Sequence, residues 1–234
     1  MRGRIAIAWS GGKDCCLAWL RLRERGIAVE TFVTMCDPDG ASKAHGLPAG
    51  LLAAQVAAFG ARWLPVRVPP GEYAASFEAT LRTLRSTGHT RMAFGDIDLQ
   101  AHRDWIEAAC GRAGLQPLFP LWGEAREALA AEVIARGIRA RLVAIDTRWL
   151  DASFAGAHYD AELLARLPAG VCPCGEEGEF HTFVLDAPGM TEGLSVRSGV
   201  RREVASSPPF APTVHVFQEL VLQGPVPRAG DPAP

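Results

Sequence analysis

Ser10, Gly11, Gly12, Lys13 and Asp14 stand in a row near the start of the chain, and far downstream Glu176, Glu177 and Glu179 are interleaved with Gly175 and Gly178. The first group has the makings of an anion site. A hydroxyl and glycine amides can cradle phosphate oxygens, glycine permits positive φ and close backbone approach, and lysine adds a point charge. The second group sets carboxylates on a turn, where they could bind Mg²⁺, steer an amine or move a proton. A solvated acidic turn would have the same composition, so its meaning depends on whether it meets the first group.

The elements around Ser10 to Asp14 give that group a position. Ile5, Ala6, Ile7, Ala8 and Trp9 form an apolar run that reads as a strand buried on both faces. Leu17, Leu20 and Leu22 then fall among Arg21, Arg23, Glu24 and Arg25, as in an amphipathic helix that stops at Gly26. The stretch between is a strand-to-helix turn, where the first helical amides lack intrahelical partners and carry the positive end of the dipole. Spacing excludes two other phosphate loops: a Walker A loop requires glycine where Ile7 stands, and no G-x-G-x-x-G is present.

The alternation continues along the chain. Strands are expected over residues 28–35, 62–68 and 92–94, and helices over 49–59, 72–85 and 100–112. This rhythm implies an α/β fold with a doubly wound, Rossmann-like parallel sheet that binds ligands at the carboxyl ends of its strands. Gly95 and Asp96 end the 92–94 strand at that edge. Beyond Pro117 and Pro120 a helix is expected over 124–136 and strands over 140–145, 181–185, 194–204 and 214–222. The chain thus divides into a nucleotide-binding domain at 1–116, a smaller α+β domain at 117–223, and a tail at 224–234 whose Pro, Gly and Ala content suits disorder.

Composition narrows the function. With 24 Lys plus Arg against 26 Asp plus Glu, nothing suggests a duplex-binding surface. No apolar run is long enough to cross a bilayer, and six scattered cysteines in a chain without a signal-peptide pattern suit reduced thiols in the cytoplasm. Cys172, Cys174 and His181 form a poor zinc set, because the cysteine spacer is one residue and a fourth ligand is lacking.

SGGKD after a first strand resembles the pyrophosphate loop of the N-type ATP pyrophosphatases, the PP-loop superfamily. FGDIDLQAHRDWIEAACGRAGLQPLFPLW at 94–122 and CGEEGEFHTFVLDAP at 174–188 are similar to two signatures of the diphthine–ammonia ligase family. With AHG at 44–46, the resemblance runs over roughly residues 4–190. It implies an ATP-dependent ligase that adenylates a carboxylate, releases pyrophosphate, and lets ammonia displace AMP to form an amide. The acceptor is a modified histidine of an elongation factor, or another carboxylate such as a small molecule, and a homodimer is left open.

The resemblance also assigns residues. Ser10, Gly11, Gly12, Lys13, Asp14 and Cys15 would hold the pyrophosphate, with Asp14 orienting Lys13 or binding Mg²⁺. Thr34 and Met35 would meet adenine through their backbone, His45, Gly95 and Asp96 would lie by the nucleotide, and Glu176 and Glu179 would serve the acceptor step. Two positions depart from the family: Cys15 stands where Ser or Thr is usual, and His181 where eukaryotic-type ligases tend to carry a second acid. Two rival functions share the loop, a tRNA-modifying pyrophosphatase and a non-catalytic nucleotide sensor. The first generally needs Cys-x-x-Cys pairs for sulfur chemistry, absent here, and the second has no use for an acidic cluster.

Overall fold

A computed structural model describes residues 3–43, 45–205 and 213–223. Strands β1 (Arg4–Ala8), β2 (Thr31–Cys36), β3 (Arg62–Arg67), β4 (His89–Ala93) and β5 (Gln116–Leu118) form a parallel sheet in the order β3-β2-β1-β4-β5. Helices α1 (Lys13–Glu24), α2 (Ala49–Ala58), α3 (Tyr73–Ser86) and α4 (Gln100–Ala113) connect them. This is the doubly wound sheet that the sequence implies. β1 is buried on both faces, with Ile7 in one apolar cluster and Ala6 in the other. The order runs outward from β1 to β3 and then returns across β1 to β4, which opens a crevice at the carboxyl ends of β1 and β4.

The second half builds a separate antiparallel sheet. After α5 (Arg126–Ala135), strand β6 (Arg139–Asp146) pairs with β7 (His158–Tyr159) and β10 (Val214–Leu222) on one side and β8 (Phe180–Asp186) on the other. α6 (Ala161–Arg166) follows β7, and β9 (Val196–Ala205) pairs with β10. One apolar cluster joins the halves, since Ile7, Trp9 and Leu17 share it with Phe180, Phe183 and Val184. β2 begins at Thr31 rather than residue 28, and α5 is shorter than the expected 124–136. The tail at 224–234 and Ala44 lie outside the described residues.

Candidate active site

The second half reaches the phosphate loop through β8. The Val184 amide donates to the Gly11 carbonyl at 2.9 Å, and the Gln55 side-chain amide donates to the carbonyls of Gly11 and Val184 at 3.1 and 2.6 Å. The Lys13 amide donates to Thr182 Oγ1 at 3.1 Å. Gly11 takes φ +84°, and a Cβ there would lie 3.0 Å from both Leu52 and Phe183, so conformation and space both require glycine. Gly12 is the N-cap of α1 and supplies no side-chain cap, and Asp14 is the acidic residue of that helix's first turn.

Lys13 is buried, 2% exposed. Its ammonium donates to Asp14 Oδ2 at 2.9 Å and the Cys174 carbonyl at 2.5 Å, and lies over the Tyr159 and Phe180 rings. Burial lowers its pKa, yet Asp14, then Cys174 and Glu176, outweigh burial and leave it raised. Lys13 therefore stitches the loop to the segment that carries the glutamates. Tyr159 supports that segment from below, its hydroxyl donating to the Pro173 carbonyl at 2.8 Å.

The three glutamates have three different environments. Glu176 lines the cavities on both sides of the loop, and burial, then Asp14, push its carboxyl up to about 7. Glu177 is exposed and pairs with Arg126 at 2.9 Å, while Arg126 also holds Asp98 at 2.6 Å. Glu179 corrects the expectation of a flexible acidic turn. It is 0% exposed, and its carboxylate accepts the amides of Cys172 at 2.8 Å and Glu177 at 2.9 Å. Two charge-assisted bonds tie the turn shut around it, and no atom of Glu179 faces either cavity.

A cavity of about 630 Å³ opens between β1, β2 and β4, lined by Ser10, Asp14, Cys15, Thr34, Met35, His45, Gly95 and Asp96. A second of about 250 Å³ lies between the phosphate loop and the acidic turn and shares Ser10, Asp14, His45 and Glu176 with the first. Thr34 spends its hydroxyl on the Trp9 carbonyl at 2.7 Å, and the Met35 carbonyl accepts the Lys43 amide at 3.0 Å. Asp96 bonds His102, whose pKa rises chiefly because of that contact. Gly95 touches the loop itself: a Cβ would meet Cys15 N at 2.9 Å. Thr182, Tyr73, Lys43 and His102 also line these cavities, beyond the residues that motif and resemblance single out. Only Thr182 and His102 carried a signal, lying inside the quoted signature segments.

A family model for the diphthamide synthase N-terminal domain matches residues 3–117, and one for the C-terminal domain of the same family matches residues 125–206. The chain belongs to the diphthamide synthase family. It is similar to curated proteins named diphthine–ammonia ligase: 34% identical over 149 residues to that of Homo sapiens, covering 60% of this chain and 54% of that protein, and 36% over 143 residues to that of Bos taurus, covering 56% and 51%. The Mus musculus protein of that name is 32% identical over 133 residues, covering 53% and 48%. The chain thus spans about half the length of these relatives.

Membership gives the two departures a structural setting. Cys15 is buried at 5% exposure, its thiol donating to the Gly12 carbonyl at 3.1 Å with Ser10 Oγ at 3.5 Å. Burial pushes that thiol up, so it stays protonated and occupies the place of a hydroxyl. His181 stacks on His45 with centroids 4.7 Å apart. Among the described residues no helix is long and apolar enough to cross a membrane.

Proposed function

We propose that this chain is an ATP-dependent ligase that adenylates a carboxylate, releases pyrophosphate, and then joins ammonia to the activated carbonyl. The observation that carries the reading is the docking of residues 174–182 on the phosphate loop, which puts Asp14 and Glu176 on the wall of one cavity. ATP is the substrate whose β and γ phosphates suit the glycine cradle and the start of α1, where the N-cap Gly12 has no side chain, with adenosine in the larger cavity against Thr34, Met35, Gly95 and Asp96. Attack of the carboxylate on the α-phosphorus develops charge on the departing pyrophosphate, and the loop amides and Lys13 offset it.

Asp14, half-open beside the cavity, is the residue suited to holding Mg²⁺, which would screen the phosphate oxygens. Glu176, with its carboxyl near 7, is poised to take a proton from ammonium, so that neutral ammonia attacks the acyl-adenylate and AMP leaves with the bonding electrons. Glu179 acts on this step only by holding the turn. The relatives' name makes diphthine the first acceptor to try, and a peptide or small-molecule carboxylate the next. Nucleic acid is not part of the proposal.

The test is incubation with ATP, ammonium and a panel of carboxylates, diphthine on its carrier protein included. The expected products are AMP, pyrophosphate and one amide that takes up ¹⁵N from labelled ammonium. ADP and phosphate as products, or nucleotide bound without turnover across the panel, would turn the reading towards a different enzyme or a sensor.

A further inference from the structure

His45 stands where three cavities meet: the larger one, the one under the acidic turn, and an apolar one of about 270 Å³ against β9 and β10. It is 8% exposed, and its Nδ1 is the buried side-chain polar atom without a hydrogen-bond partner among the described residues. Its ring lies flat on His181, with an interplanar angle of 27°, and edges against the phosphate loop, where a Cβ on Gly12 would come within 3.2 Å of His45 Cε1. His181 lines the same smaller cavity and makes no side-chain hydrogen bond among the described residues. Apart from the contact of His45 with the Ser10 backbone, the Nδ1 of His45 and the ring nitrogens of His181 stand beside an anion loop without a hydrogen-bond partner among the described residues.

We propose that His45 and His181 form a proton-coupled phosphate clamp, which binds the polyphosphate chain of the nucleotide and takes up one proton as that chain enters. The inference rests on the reading of the cavity as a polyphosphate site, but not on amide formation. Deprotonated phosphate oxygens only accept hydrogen bonds, and a neutral imidazole has a single N–H to offer. An imidazolium offers two. The charged groups around the pair decide when it can form.

The charge of Lys13, in α1, acts on both rings, and that of His215, in β10 and itself 3.9 Å from Asp146 of β6, acts on His181. Asp14 and Glu176 border the cavity from the loop and the turn, Lys43 borders the larger one, and Arg202 of β9 and Glu219 of β10 border the apolar one. Burial first, then His181 and Lys13, hold His45 well below its ordinary value, with the Ser10 backbone opposing weakly. Burial, Lys13 and His215 bring His181 down to about 4. A polyphosphate cancels the Lys13 field and adds anionic oxygens, so protonation becomes favourable. Stacked cations repel, which limits the pair to one proton.

Inorganic pyrophosphate is the probe. Calorimetric titration at pH 7 in two buffers of different ionisation heat gives the number of protons taken up per pyrophosphate. Glu176 and pyrophosphate itself also titrate near this pH, so the pair's share is the difference between wild type and His45→Gln/His181→Gln, which keeps both. The expected difference approaches one proton, with pyrophosphate affinity in the double variant at least about tenfold weaker at pH 6.5 and the gap closing as pH rises. In case the variant does not fold, imidazole NMR of the wild type reads the same event, as one of the pair moving to its protonated position when pyrophosphate is added at pH 7. Equal proton counts, or histidine signals that stay neutral at saturation, overturn the clamp while leaving the ligase reading intact. Failure to bind pyrophosphate overturns both. Proton uptake without any amide product leaves the clamp standing and removes the ligase.

Discussion

The Lys13 ammonium lies 2.5 Å from the backbone carbonyl of Cys174, a residue 161 positions away. A buried ammonium must be paired, and here one partner is its neighbour Asp14 while the other belongs to the opposite half of the chain. This side chain therefore joins the bonds of Thr182, Val184 and Gln55 in holding the acidic turn against the phosphate loop.

Lys13→Ala is expected to lower pyrophosphate release by at least about a hundredfold, the scale of losing one positioned group at a transition state. The turn at 174–178 should also become more accessible to proteolysis. Turnover at the wild-type rate in a variant with native circular dichroism would remove Lys13 from the mechanism.

Glu176 gives a pH dependence with a definite sign. Its carboxyl titrates near 7 in the folded chain against an ordinary 4.5. The folded state thus binds more protons between those values, and this group's contribution to stability falls as pH rises through that window. Glu176→Gln should remove the loss, so the variant gains on the wild type in melting temperature between pH 5 and pH 8. The rising limb near pH 7 should disappear from the turnover profile, with ATP affinity nearly unchanged. A limb that persists in Glu176→Gln assigns the proton transfer to another group.

The parallel sheet was legible because its signals are local. Apolar runs such as Ile5 to Trp9, and helix stops such as Gly26, need no tertiary information. The meeting of loop and turn was foreseeable only as a condition, since two segments so far apart carry no spacing rule. The enclosure of Glu179, which the resemblance gave to the acceptor step, is non-local for a related reason: only the fold supplies the Cys172 and Glu177 amides around its carboxylate. The stacking of His45 on His181 is equally non-local. Thr182 carried no chemistry until its hydroxyl met the Lys13 amide.

Glu179→Gln should behave as a structural change. The amide keeps one acceptor but turns an NH₂ towards a donor, so one enclosed N–H goes unsatisfied, at a cost of about 1–3 kcal/mol. Turnover and melting temperature should fall together, by roughly 2–4 °C per kcal/mol for a chain of this size. Lost turnover at unchanged melting temperature would restore Glu179 to the chemistry.

Cys15→Ser should retain turnover within about threefold, because a hydroxyl can take the thiol's place against the Gly12 carbonyl and is the stronger partner. Loss of turnover with nucleotide binding preserved would show that the thiol itself reacts.

Gly95 tests whether the two loops at the sheet's switch point must touch. Its backbone has an ordinary φ, so the requirement for glycine is purely spatial: an added Cβ would lie 2.9 Å from Cys15 N, 3.0 Å from the Asp14 carbonyl carbon and 3.1 Å from Cys15 Cα. All three are backbone atoms, and no rotamer change relieves them. Gly95→Ala must push the first turn of α1 away from β4, at an overpacking cost of about 1–3 kcal/mol. Because that turn carries the amides proposed for phosphate, ADP affinity should weaken by about tenfold or more. Gly111→Ala is the control, since it sits within α4 with nothing near its Cβ, and should raise stability by up to ~1 kcal/mol through helix propensity alone. Should Gly95→Ala bind ADP as tightly as Gly111→Ala does, the contact between the loops does not set the position of the phosphate site, and the helix start is held by β8 alone.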